Sequence, residues 1–263
     1  MEGGRIHMEQ MIRGDYAFIC GQWPLDPKRA TLVFIHGTGQ SSRMWQAQVE
    51  GLKDRVNPVA LDLPGHGRSG GPGRRRVEDY AAGVIDFITA IAAPSPIPCG
   101  LSLGGAITQL LLLDHPARVR GGIIINSGAR LRVLPPIFEM IDTSMPAYVE
   151  AIGRLGFSEK TPPSVKLPLL EDCLNARPEV VRGDFQACDG FDAMQRLGAI
   201  RAPVLVISAE DDQLTPPKYG EFLERHIPNA VRAHILDAGH FAPIEKPQAV
   251  NAAITRFLEA NKL

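Results

Sequence analysis

The chain has 263 residues, 44% of them hydrophobic, which fits one large α/β domain carrying an insertion. A formal charge of −1 gives no overall field to draw nucleic acid or an anionic membrane, and the one basic run, Arg74-Arg75-Arg76, reads as a solvated loop after "GGPG". Cys20, Cys99, Cys173 and Cys188 show no CxxC or metal-ligand spacing, "MEGGRIHMEQMIRGDYAF" lacks the apolar core of a secretory leader, and no apolar stretch is long enough to span a bilayer; a cytoplasmic protein with reduced thiols is expected.

Taken in order, "TLVFIHG" (residues 31–37) is a β-branched and aromatic run ending in glycine and predicts a buried strand. "SSRMWQAQVEGL" follows, with a serine N-cap signal and helical spacing at Met44, Trp45, Val49 and Leu52. "NPVALDLPGHG" predicts a second strand and a glycine-rich loop. Residues 77–93 put Val77, Tyr80, Ala81, Val84, Ile85, Ile88 and Ile91 on one helical face. Residues 105–113 are apolar nearly all round, a buried helix, and "GGIIIN" (121–126) is a strand without alternation, as expected when both faces are covered. "APVLVISAEDD", "KYGEFLERHI", "VRAHILDAGH" and "AVNAAITRFLEA" then repeat strand, helix, strand, helix. This alternation predicts a mostly parallel sheet with helices on both faces.

Two stretches break the rhythm. Residues 127–195 carry no strand pattern but have prolines at 135, 136, 146, 162, 163, 168 and 178, predicting a set of short helices laid over the sheet. "PSPIPCG" puts Pro94, Pro96 and Pro98 where a central strand leads into the next motif. Three prolines two apart remove N–H donors on one side only, and the regular strand here is expected to be very short.

That motif is "CGLSLGGA" (residues 99–106), in which Gly100-Leu101-Ser102-Leu103-Gly104 fits G-x-S-x-G. Its mechanics are a strand turning abruptly into a helix, with the serine in a strained conformation and glycines where a Cβ would clash. The hydroxyl then stands at a helix N-terminus, which favours a developing oxyanion. A serine needs a base to become nucleophilic. His240, in "DAGHFAPIEKP", follows the last predicted strand, and Asp212, in "VISAEDDQLTPP", follows the one before it. The order Ser102, Asp212, His240 suits three groups at the carboxyl ends of parallel strands.

With these motifs the chain resembles the α/β-hydrolase superfamily over nearly everything outside residues 127–195. "FIHGTGQSSRMW" looks like the family's oxyanion loop, "LDLPGHGRS" like the loop after its fourth strand, and "GLSLGG", "SAEDDQLTP" and "AGHF…EKP" like its nucleophile, acid and base loops. The resemblance implies an α/β-hydrolase fold: an eight-stranded, mostly parallel sheet flanked by helices. Residues 1–130 and 195–263 would form the core and 131–194 a helical cap. It places the acid four residues before a proline, which selects Asp212 ahead of Pro216 over Asp211. Asn126 ends the strand where some members carry the acid, so that variant is discounted. The backbone N–H groups of Thr38 and Leu103 are the implied oxyanion hole. His36 and His66 are expected as hydrogen-bonded loop formers; His7, His115, His226 and His234 have no constellation and read as surface or core.

The reading that follows is a serine hydrolase of a small to medium ester or lactone, similar to the carboxylesterase and enol-lactonase branch, with no metal or organic cofactor implied. Carbon–carbon hydrolysis, acyl transfer, lyase chemistry and ligand binding without catalysis are the alternatives on this fold. Phe241 stands where carbon–carbon hydrolases usually have Trp, which lowers that option. The expected pocket wall is apolar: Phe138 and Met140 in the insertion, together with Phe241. Leu131, Val133, Leu134, Ile137, Ile141 and Phe157 are further apolar side chains of the same insertion, and Arg130 and Arg132 are expected mainly at the surface.

Overall fold

The computed structural model of the protein describes residues 10–263. His7 and the first half of the N-terminal stretch quoted above, residues 1–9, lie outside the described residues. A hairpin of β1 (Gln10–Arg13) and β2 (Tyr16–Cys20) leads into β3 (Thr31–Ile35), α1 (Gln46–Leu52), β4 (Asn57–Leu61), α2 (Val77–Ala90), β5 (Pro96–Leu101), α3 (Leu103–Asp114) and β6 (Gly122–Ile125). Four helices follow, α4 (Pro135–Thr143), α5 (Met145–Leu155), α6 (Pro163–Leu174) and α7 (Pro178–Gly190). The chain closes with β7 (Val204–Ala209), α8 (Pro217–His226), β8 (Ala230–Ile235), α9 (Ala242–Glu245) and α10 (Pro247–Asn261).

The strands make one eight-stranded sheet in the order β1-β2-β4-β3-β5-β6-β7-β8. Only β2 runs against its neighbours; β4 through β8 and β3 are parallel. Alternate residues of each strand feed two apolar cores. Leu32, Phe34, Ile97, Ile123 and Leu205 pack with α1 and α10 through Trp45, Leu52, Ile254 and Phe257. Val33, Ile35, Val59, Ile124 and Val206 pack with α2, α3 and α8 through Val84, Phe87, Ile107, Leu111 and Leu223. Covering both faces is what a parallel sheet requires, and it explains why these strands read as continuous apolar runs. Residues 103–112 are buried throughout, as the all-round apolar pattern of α3 predicts.

β5 departs from expectation: it spans six residues and pairs with β3 from Pro96 to Gly100. The Pro96 carbonyl accepts from the Arg120 N–H at 2.9 Å, so the polar edge of Pro96, and by alternation that of Pro98, faces the β6 side. β6 joins only from Cys99 onward. The missing donors therefore fall where no partner strand stands, and pairing with β3 keeps the strand regular.

Most prolines of the insertion mark helix starts; Pro168 lies inside α6. Each of α4 to α7 has proline in its first two positions, where the absent N–H costs nothing. All four cysteines are unpaired. Among the described residues no helix is long and apolar enough to cross a membrane.

Candidate active site

Ser102 occupies the single residue between β5 and α3, with φ 54° and ψ −114°. Such a conformation costs about 1–3 kcal/mol for a non-glycine residue and persists only where the surroundings fix it. Its N–H donates to the Ile125 carbonyl at 3.0 Å, and its carbonyl accepts from Gly105 N–H at 2.9 Å and from Ser127 Oγ at 2.8 Å. The flanking glycines are required by space. A Cβ on Gly100 would sit 1.9 Å from the Gly104 carbonyl oxygen, and one on Gly104 would sit 2.2 Å from the Ile35 carbonyl oxygen. Their absence lets α3 press onto the ends of β5 and β3.

That approach brings the serine against the loop after β3. A Cβ on Gly37 would lie 3.4 Å from the Ser102 Cβ. Thr38 follows in this loop, and Leu103 opens α3, where the first N–H groups have no partner within the helix. His36, fully buried, holds the loop as a neutral ring: Nδ1 donates to the Gly37 carbonyl at 2.8 Å and Nε2 accepts from the Leu63 N–H at 3.0 Å. Burial, with His66 close by, keeps its pKa well below the ordinary histidine value.

The loops after β7 and β8 bring Asp212 to His240. Nδ1 of His240 lies 2.9 Å from Oδ2 of Asp212, so the proton sits on Nδ1 and Nε2 is the basic nitrogen. Asp212 also accepts from the N–H groups of Leu214 and Thr215, both at 2.9 Å, and from Thr215 Oγ1 at 2.8 Å. Burial would raise its pKa, but the His240 charge and hydrogen bond and the Thr215 donors outweigh it and hold the carboxyl below its ordinary value. Asp211 faces away, accepting from Ser158 Oγ. Among the described residues, no group of three or more His, Cys, Asp and Glu side chains is arranged to hold a metal ion.

Ser102, His240 and Thr38 line one cleft of about 230 Å³ between the carboxyl ends of the strands and the inserted helices. Its other wall comes from Leu131, Val133, Leu134 and Ile137, from Tyr148, Ile152 and Leu155 on α5, and from Phe185 on α7. Phe241 lines it, edge-on to His240 with ring centroids 5.4 Å apart. Phe138 and Met140 do not line it. A helix turns about 100° per residue, so when Ile137 faces the cleft Phe138 is carried round to the Arg182 guanidinium, 5.5 Å from its ring centroid. Met140 packs onto the apolar core instead. Ile141 and Phe157 are buried behind the wall. Arg130 and Arg132 do line the cleft, each also paired with an acid, Asp192 at 3.1 Å and Asp189 at 3.9 Å.

The model of the alpha/beta hydrolase family matches residues 32–253, most of the chain. The chain belongs to the alpha/beta hydrolase family. This hydrolase is 28% identical to 3-oxoadipate enol-lactonase 2 of Acinetobacter baylyi over 242 residues, 86% of this chain and 87% of that protein. It is similar to a solved thermophilic esterase, with 30% identity, a TM-score of 0.83, and coverage of 97% of this chain and 98% of that one. The enol-lactonase of Burkholderia xenovorans has the same fold, at 23% identity and a TM-score of 0.85 over 95% of this chain and all of that one.

Several supporting residues of the hydrolase escape sequence reading. Asn126, considered only as a discounted acid position, has φ 42° and donates through Nδ2 to the carbonyls of Gly239 at 3.1 Å and His240 at 2.9 Å, so it anchors the histidine loop. Glu245 anchors the same loop, accepting from the Gly239 N–H at 2.9 Å, while its other oxygen accepts from the Ser158 N–H at 2.9 Å and from Thr161. Thr215 carries a turn signal in "DDQLTPP", a hydroxyl just before proline, that could have flagged it. Tyr148 has none, because only the packing of α5 brings its ring to the cleft.

Proposed function

We propose that the protein is a serine hydrolase that cleaves a small to medium carboxylic ester or lactone through an acyl-enzyme. The observation that carries this reading is the 2.9 Å pairing of Asp212 with His240 Nδ1 on the cleft that also holds Ser102. Ser102 Oγ attacks the acyl carbonyl while His240 Nε2 takes its proton. The oxyanion accepts from the backbone N–H groups of Thr38 and Leu103. His240 then protonates the leaving alkoxide, and water repeats the sequence to release the acid. Asp212 keeps the proton on Nδ1 and stabilises the imidazolium that forms.

The names of the relatives, an enol-lactonase and an esterase, support ester or lactone chemistry. A cleft of about 230 Å³ lies below the ~300–1,000 Å³ typical of sites for drug-sized ligands, which supports a substrate of modest size. Residues 131–194 act as the cap that encloses it. The unpaired cysteines support a reducing compartment, the cytoplasm. The test is a panel of p-nitrophenyl esters of increasing acyl length, with lactones alongside. Saturable turnover that peaks at short to medium acyl chains or at a lactone is expected. No turnover of either class by a folded protein overturns the substrate assignment.

A further inference from the structure

Asp184, on α7 in the insertion, is fully buried, yet it is a carboxylate. Its Oδ1 accepts from the Tyr80 hydroxyl. Its Oδ2 accepts from the Gly39 N–H at 2.9 Å and lies 2.8 Å from His66 Nε2. The other nitrogen of His66 lies 3.2 Å from the Pro64 carbonyl oxygen, so both ring nitrogens face acceptors. Burial opposes a charge on the ring, but the Asp184 carboxylate outweighs it and raises the His66 pKa. A buried acid–histidine pair is a poor way to gain stability, since apolar side chains of similar size often do as well. What a carboxylate offers here and a leucine does not is an acceptor for the Gly39 N–H.

Gly39 adjoins Thr38, and the insertion presses on this loop at two points. Gly39 has φ 65°, and a Cβ there would meet Val181 of α7 at 3.2 Å. The same Cβ would lie 3.5 Å from the Tyr148 hydroxyl of α5. We propose that Asp184 is a positioning residue: by holding the Gly39 N–H it fixes the loop that aims the Thr38 N–H at the oxyanion, so the inserted helices set the geometry of the reaction as well as the shape of the pocket. The inference rests on the serine-hydrolase reading above.

The experiment compares wild type with Asp184→Leu, which is close in size and removes the acceptor for the Gly39 N–H, whereas Asn would keep one. Active sites are first titrated with a fluorophosphonate; kcat and KM are then measured per titrated site on a p-nitrophenyl ester, and phenylboronic acid inhibition is measured as a tetrahedral-adduct readout. Complete loss of an oxyanion donor costs about 10²–10³ in kcat, so a misaimed donor should lower kcat per titrated site by about 10- to 100-fold and weaken the boronic acid in parallel. KM should stay within about twofold, because the lost interaction belongs to the transition state. A kcat per titrated site close to wild type, even with a lower melting temperature or fewer titratable sites, overturns the positioning role and leaves Asp184 a structural tie. If Asp184→Leu does not fold, Asp184→Ala decides, since it also removes the acceptor for the Gly39 N–H. A several-fold lower kcat at unchanged KM supports the role, and an unchanged kcat overturns it. A wild-type protein that the fluorophosphonate does not label at Ser102 defeats the serine-hydrolase reading itself; labelling of wild type with an unaffected variant defeats only the role of Asp184.

Discussion

Asp212 and His240 are joined Oδ2 to Nδ1 at 2.9 Å, while Asp211, next to Asp212 in the chain, turns its carboxylate to Ser158. The two acids thus make separate contacts: Asp212 holds the His240 ring, and Asp211 ties the loop before α6 to the loop after β7. Asp212→Asn should lower kcat by about 10³–10⁴-fold, because the amide presents a donor to Nδ1 and favours the wrong tautomer. Asp211→Asn should cost less than about tenfold, since Asn still accepts from a serine hydroxyl. Steady-state kinetics of both variants on one ester check this, and the reverse order would make Asp211 the acid.

Glu245 is the second carboxylate on which the histidine loop depends. Burial raises its pKa, against the pull of three donors on Thr161, Ser158 and Gly239. In Glu245→Gln one oxygen becomes an NH₂ group, and at least one buried N–H or hydroxyl loses its acceptor. A loss of about 1–3 kcal/mol in stability is expected, with a lower kcat because Gly239 precedes His240. Denaturant unfolding and ester kinetics on the same preparation measure both.

The cleft wall predicts which side chains set acyl preference. Ile137 lines the cleft, whereas Phe138, its neighbour, lies against Arg182. Ile137→Ala should shift the preferred ester toward longer acyl chains, changing specificity constants by about tenfold or more per methylene gained. Phe138→Ala should leave the acyl profile in place. Specificity constants across an ester series decide it; a shifted profile in Phe138→Ala alone would move the wall to the other side of α4.

Acid should loosen the site through Asp212. Its folded pKa lies below the ordinary aspartate value of 3.8, so the folded state holds the charged form more strongly than the unfolded chain does. The stabilisation is therefore present above 3.8 and is lost as pH falls through the lowered folded value. Thermal unfolding of wild type and Asp212→Asn, followed from neutral pH downward, checks the sign. The gap between them should narrow on acidification.

The sequence revealed the elbow, the order of the three site residues and most of the parallel sheet, because each rests on local chemistry: glycines where backbones touch, apolar runs covered on both faces, loops after strands. The β1–β2 hairpin was not read, although Gly14-Asp15 between two short runs carries its turn signal. The length of β5 is not legible, because its prolines reveal missing donors but not that β6 begins only opposite Cys99. Phe138 and Met140 are as apolar as Ile137 yet lie off the cleft, and apolarity does not say which way a residue on α4 points. Asn126 reaches Gly239 across 113 residues of chain, Glu245 reaches Ser158 across 87 and Asp184 reaches Gly39 across 145, and no local pattern encodes such pairings.

The central claim is that Ser102 is a nucleophile activated by His240. Intact mass after fluorophosphonate treatment tests it most directly, on wild type and on folded Ser102→Ala. The account predicts a single adduct on wild type, located at Ser102, with no adduct and no ester turnover beyond weak residual catalysis in Ser102→Ala. An unlabelled wild type, or a folded Ser102→Ala protein that turns over esters at the wild-type rate, would contradict it.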